Sequence, residues 1–165
     1  MGLLNEADWQ GQWIGLDRAA SGDSETQWSR LAARYLRKEF ALGREVKRAT
    51  VHIAGMGLYE LFINGQRIGD QVLAPAPTDY RKTILYNTYD VTPQLRKENA
   101  IGVTLGNGRF YTMRQNYKPY KIPTFGYPKL RLNLIVEYMD GSKETIATNT
   151  SWKLTTEGAI RSNNE

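Results

Sequence analysis

The sequence predicts an all-β fold, an antiparallel β-sandwich of the jelly-roll type. Three observations carry this: short runs that alternate apolar and polar residues, turn dipeptides that close those runs, and almost no helical periodicity. The clearest run covers residues 129–138. Leu130, Leu132, Leu134 and Val136 fall on one face, with Arg131, Asn133 and Glu137 on the other. Asp140-Gly141 follows as a tight turn, since both residues tolerate positive φ. Residues 143–148 then return as the partner strand. Upstream, Ala49, Val51 and Ile53 alternate with Thr50 and His52 until Gly55-Met56-Gly57 breaks the run. Tyr59, Leu61 and Ile63 make the next strand, which ends at Asn64-Gly65. Ile101, Val103 and Leu105 mark another, ended by Gly106-Asn107-Gly108. Residues 34–42 and 83–90 are further strands.

Helical signals are limited to one short turn over residues 91–95, with Thr92 as its cap and Pro93 at its first position. Residues 18–30 are polar and rich in Ser, Gly and Asp, and read as a surface loop. Residues 109–128 alternate little but hold many aromatics and three prolines, the mark of a long, ordered loop. A chain of 165 residues suits a single domain. Its core is expected over about 30–157, with 1–30 an N-terminal extension and loop and 158–165 a frayed tail.

The composition, 41% hydrophobic and 24% charged, is that of a globular domain able to bury one sizeable core. Cysteine is absent, which excludes disulfides, thiolate metal sites and a cysteine nucleophile. No apolar run is long enough to span a membrane. The opening residues, Met1 to Glu6, show no basic region followed by an apolar stretch, so no signal peptide is expected. The net charge of +5 is spread among acidic and aromatic residues without a block of like charge. A mixed, solvated surface is therefore expected, with no nucleic-acid and no membrane partner.

Catalytic signatures are missing. The one histidine, His52, sits inside an alternating strand and reads as a surface or partly buried residue. A zinc site and a phosphate-cradling loop both lack their residues. No carboxylate sits in a setting that predicts a raised pKa. The segment 106–127 is different. Its Tyr, Arg, Asn and Gln residues offer flat apolar faces and planar polar groups, the two things sugar recognition needs. Three roles stay open for it: tying a long loop to the sandwich body, binding a ligand, and docking another domain. If it binds, the candidates are Asn107, Arg109, Tyr111, Arg114, Asn116 and Tyr120, joined by Asp79 and Tyr80 from the segment between Pro77 and Thr83. Asp79 would accept bonds from sugar hydroxyls or help to hold calcium, a hard cation that prefers oxygen. Tyr111 or Tyr120 would stack on the ring.

An ordered set of motifs resembles a known family. Tyr35-Leu36-Arg37-Lys38-Glu39-Phe40 is followed by a continuous stretch from Val46 to Gly65 that contains Ile53-Ala54-Gly55-Met56-Gly57 and Phe62-Ile63-Asn64-Gly65. Gly69-Asp70, Leu73-Ala74-Pro75, Thr78-Asp79-Tyr80, the run from Tyr86 to Val91 and the run from Leu105 to Tyr111 come next. With Trp13-Ile14 and Ser151-Trp152-Lys153, the set resembles the N-terminal β-sandwich domain of bacterial α-L-rhamnosidases over nearly the whole chain. The resemblance implies a galactose-binding-domain-like jelly roll, accessory to an inverting glycoside hydrolase whose acid and base lie in a separate (α/α)6 barrel. It therefore implies a non-catalytic module, with other domains of the parent enzyme and rhamnose-containing glycans as partners. Some members use this sandwich as a calcium-dependent rhamnose-binding module, so the resemblance allows calcium without requiring it and assigns no ligands to it. It also implies a periplasmic or extracellular parent; the chain itself fixes no compartment.

Overall fold

A computed structural model describes residues 4–18, 31–111 and 125–162. The loop expected over 18–30 and the centre of the one expected over 109–128 lie outside the described residues. Among the described residues, the alternating runs become ten strands: β1 (Ile14–Gly15), β2 (Arg34–Ala41), β3 (Val46–Met56), β4 (Leu58–Ile63), β5 (Gln66–Ile68), β6 (Tyr86–Asp90), β7 (Glu98–Gly106), β8 (Lys129–Tyr138), β9 (Lys143–Ala147) and β10 (Lys153–Thr155). The first sheet runs β1-β8-β3-β6, with β9 also paired to β8, and the second runs β10-β2-β7-β4-β5. Every pairing is antiparallel.

The period of two explains the core. Ala49, Val51 and Ile53 of β3 and Leu130, Leu132, Leu134 and Val136 of β8 are fully buried in the first sheet. They share one cluster with Leu36 of β2, Tyr59, Leu61 and Ile63 of β4, and Ile101, Val103 and Leu105 of β7. Each strand contributes alternate residues to this layer and turns the others outward.

A single residue, Gly57, separates β3 in one sheet from β4 in the other. It has φ +130°, and a Cβ there would run into the Gly106 carbonyl oxygen. Only glycine permits that sharp a corner. Asn64 and Gly65 both adopt left-handed φ, 52° and 80°. They form the two-residue hairpin between β4 and β5 that the dipeptide predicts.

Elsewhere local chemistry differs from the expectation. The connection after β8 spans the four residues 139–142 rather than two, and only Gly141 among them has positive φ, at 84°. Asp140 instead uses its carboxylate, which accepts the Ser142 N–H at 2.8 Å. The strand expected from residue 83 begins at Tyr86. Residues 79–83 are a turn because the Lys82 and Thr83 N–H groups both donate to the Asp79 carbonyl, at 2.9 and 3.0 Å. Thr92 does not cap the short 3-10 turn but is its first residue, and Val91 precedes it as cap. The Asp90 carboxylate accepts the Thr92 N–H at 2.9 Å and its hydroxyl at 2.6 Å, which ties the start of the turn to the end of β6. The tail expected to fray from residue 158 is pinned at Ile160, whose carbonyl accepts the Ala33 N–H and whose N–H donates to the Tyr35 hydroxyl, both at 3.1 Å.

The largest difference concerns the outer face of β8. Asn133 was expected in solvent but is 1% exposed. The N-terminal segment crosses above it: Asn133 Oδ1 accepts the Gly11 N–H at 2.8 Å, and its amide donates to the Asp8 carbonyl at 3.0 Å. The inner face of the same strand sets the stability. Replacing the fully buried Leu132 with alanine is expected to lower the unfolding free energy by about 2–5 kcal/mol, measured by urea denaturation.

Candidate functional site

The corner at Gly57 decides which loops meet. Leu58 of β4 pairs with Gly106, the last residue of β7. Met56 of β3 pairs with Lys129, the first of β8, and Ala54 with Tyr86, the first of β6. The segments before β6, after β7 and before β8 therefore emerge from one end of the sandwich. There the Tyr80 ring packs edge-on against Phe110 at 5.2 Å and Phe125 at 5.4 Å. Phe110 and Phe125 stack at 6.0 Å, and the Phe125 N–H donates to the Phe110 carbonyl at 2.9 Å. Tyr111 stacks on Tyr127 at 5.6 Å.

Tyr80 is also one wall of an adjoining cleft of about 350 Å³, on the outer face of the first sheet. The N-terminal segment supplies Glu6, Trp9 and Trp13; β6 and β8 supply Tyr86 and Arg131; the turn after Tyr80 supplies Arg81 and Lys82. Trp9 and Trp13 are both half-buried. Trp9 meets Tyr86 edge-on at 5.7 Å, and the Tyr86 hydroxyl accepts the Leu4 N–H at 3.0 Å.

Arg131 organises this wall. Its Nε donates to the Gly11 carbonyl at 2.6 Å and its Nη1 to Glu6 Oε1 at 2.6 Å. Its guanidinium carbon lies 5.2 Å from the Trp9 ring and 6.0 Å from the Trp13 ring. The Arg131 side chain is only 12% exposed, so its ring contacts are sheltered from water, whereas its Glu6 partner is 84% exposed and that ion pair is screened by solvent. Nearby, His52 Nδ1 lies 2.9 Å from the Thr88 hydroxyl, and burial lowers the imidazole pKa below its ordinary value.

The residues expected from the sequence divide as follows. Tyr80 lines the cleft, and burial raises its phenol pKa, opposed by the charge of Arg109. Asp79 is exposed beside it, with Arg81 Nε donating to one carboxylate oxygen at 2.9 Å and Nη2 to the other at 3.2 Å. Those bonds hold its pKa below the usual carboxylate range. Asn107 is buried behind the corner, where its carbonyl accepts the Phe110 N–H at 3.2 Å and the Tyr111 N–H at 3.4 Å. Arg109 is exposed and Tyr111 half-buried. Arg114, Asn116 and Tyr120 lie outside the described residues. Among the described residues, no three carboxylate or imidazole groups gather as a metal cluster.

Sequence reasoning missed Glu6, Trp9, Trp13, Tyr86 and Arg131 as a group. Two tryptophans four residues apart in a polar stretch were the available signal. Arg131 gave none, because an outward arginine on an alternating strand reads as solvated.

The fold defines an antiparallel β-sandwich module with a polar and aromatic cleft on the outer face of one sheet. A family model described as the α-L-rhamnosidase N-terminal domain matches residues 44–165. An α-L-rhamnosidase of Formosa agariphila is 37% identical over 183 residues, which cover 99% of this chain and 19% of that protein. The structure of the α-L-rhamnosidase from Dictyoglumus thermophilum matches with a TM-score of 0.75 at 44% identity, over 93% of this chain and 17% of that one. The native enzyme from Aspergillus terreus matches with a TM-score of 0.81 at 38% identity, over 93% of this chain and 18% of that one. The chain belongs to the α-L-rhamnosidase N-terminal domain family and spans about a fifth of the length of these relatives.

Arg131 ties the N-terminal segment to β8, so Arg131→Ala is expected to loosen that segment while leaving the sandwich folded. Tryptophan emission should shift to the red and limited proteolysis should cut before residue 14, with the β-type circular dichroism spectrum retained.

Proposed function

We propose that this accessory domain binds carbohydrate, specifically glycans that carry L-rhamnose, in the cleft between the N-terminal segment and β6. The observation that carries this is the convergence of Trp9, Trp13 and Tyr86 with the Arg131–Glu6 ion pair around about 350 Å³ of space. A sugar ring presents C–H groups on its faces and hydroxyls at its edge. Indole and phenol rings match the first, and a guanidinium–carboxylate pair supplies donors and acceptors for the second. The enzymes this chain resembles are α-L-rhamnosidases, which supports rhamnose as the sugar. Calcium has no assigned part in this reading, which rests on the aromatic walls and the Arg131–Glu6 pair.

Hydrolysis is assigned elsewhere in the parent enzyme. Glycoside hydrolysis requires an acid and a base placed across one bond. Among the described residues that line the cleft, Glu6 is the single carboxylate, and it is ion-paired to Arg131. The purified chain is therefore expected to show no turnover of an aryl α-L-rhamnoside, and activity that persists through further purification would overturn this.

A second reading rests on the opposite face. The outer surface of the second sheet carries an apolar groove of about 670 Å³ that includes Tyr35, Phe62 and Gly102. Such a surface suits packing against other domains of the parent enzyme. Nuclear magnetic resonance titration with L-rhamnose separates the two. Sugar binding predicts shifts of the Trp9 and Trp13 indole N–H signals, a Kd on the order of 0.1–1 mM, no requirement for calcium, and loss of the effect in Trp13→Ala. No shift at tens of millimolar sugar would leave the packing role as the better account.

A further inference from the structure

The charges around the cleft do not balance. Arg81, Lys82 and Arg131 all line it. Two of these cations are committed: Arg131 to Glu6 at 2.6 Å and Arg81 to Asp79 at 2.9 Å. Among the described residues Lys82 has no ion-pair partner, and its side chain is exposed at the rim. Its backbone is fixed from below, because its N–H donates to the Asp79 carbonyl at 2.9 Å within the 79–83 turn. The cleft thus joins aromatic walls for a sugar ring to an exposed ammonium at the rim that has no ion pair among the described residues. A neutral sugar satisfies the walls and leaves that charge unused.

We infer that the cleft prefers an anionic glycan, one in which a uronate or sulfate group lies beside the sugar held by Trp9 and Trp13 and pairs with Lys82. This rests on the carbohydrate reading above and narrows it to a class of glycan. An ammonium is a compact point charge without the planar fork of a guanidinium, so it accepts carboxylate and sulfate alike. Arg81 adds a second cation next to it, partly offset by Asp79. The pair sits at an exposed rim, so its effect on affinity is that of a surface ion pair and is screened by salt.

The test uses the chain itself and three disaccharides: rhamnose joined to a uronate, its carboxyl-reduced neutral counterpart, and a sulfated counterpart. Binding is followed by calorimetry or by the tryptophan signals. At low salt the acidic ligands are expected to bind about two- to fivefold more tightly than the neutral one, the scale of an exposed ion pair. The advantage should vanish near 1 M salt, where the Debye length is about 3 Å. In Lys82→Ala the ratio of acidic to neutral affinity should fall toward one, and in Lys82→Glu it should invert. Equal tightening by both acidic ligands identifies charge alone as the determinant; tightening by one only identifies uronate or sulfate as the group recognised. Equal affinity for neutral and acidic ligands, without salt dependence, would overturn the anionic preference and leave the carbohydrate reading standing. Binding of none of the three would overturn both.

Discussion

The corner at Gly57 is the constraint on which the rest of the structure depends. One residue carries the chain from the first sheet to the second, so the ends of β3 and β4 must lie side by side. The Gly106 carbonyl fills the space that a side chain would need. Gly108 is held as closely: it has φ +49°, and a Cβ there would lie 2.8 Å from Leu58 Cγ. Any larger residue at the corner would push the sheets apart and break the shared apolar layer. The same closeness brings the loops around Tyr80, Phe110 and Phe125 together, because the strands that launch them are paired with β3 and β4.

Cleft formation then needs a second element that the sandwich itself does not supply. The N-terminal segment lies over the outer face of β8, and β8 meets it with two polar residues. Asn133 satisfies the Gly11 N–H and the Asp8 carbonyl, while Arg131 reaches Gly11, Glu6 and Trp9. Burying these groups is tolerable because they are bonded to the segment that buries them. Polar anchoring also fixes where Trp9 and Trp13 sit, which apolar packing alone would specify less sharply. The lysine at the rim belongs to a different turn, held by the Asp79 carbonyl, so aromatic wall and charge are positioned independently.

This division of labour fits an accessory module. Its stability comes from the apolar layer between the sheets, which is remote from the cleft. Its surface is then free to carry two unlike faces: a polar and aromatic cleft on one sheet and an apolar groove on the other. One face suits a wet ligand with many hydroxyls, the other a dry protein surface. A domain that holds a glycan on one side and packs on its other side would present substrate to a catalytic domain without taking part in the chemistry.

The sequence by itself determined the sandwich and its family. Leu130, Leu132, Leu134 and Val136 had to share a face, since side chains alternate along any strand, and Asn64-Gly65 had to turn, since both residues accept left-handed backbone. The ordered motifs pointed to the α-L-rhamnosidase N-terminal domain, which the family match over residues 44–165 shows. Local sequence also pointed to Tyr80, which lines the cleft. It could not disclose the rest of the cleft, because Arg131 and Trp9 are 122 residues apart in the chain and meet only when the N-terminal segment folds over β8. Alternation tells which residues leave the core. Whether an outward residue then faces water or another segment is a long-range fact, and only the tertiary structure decided it for Asn133 and Arg131.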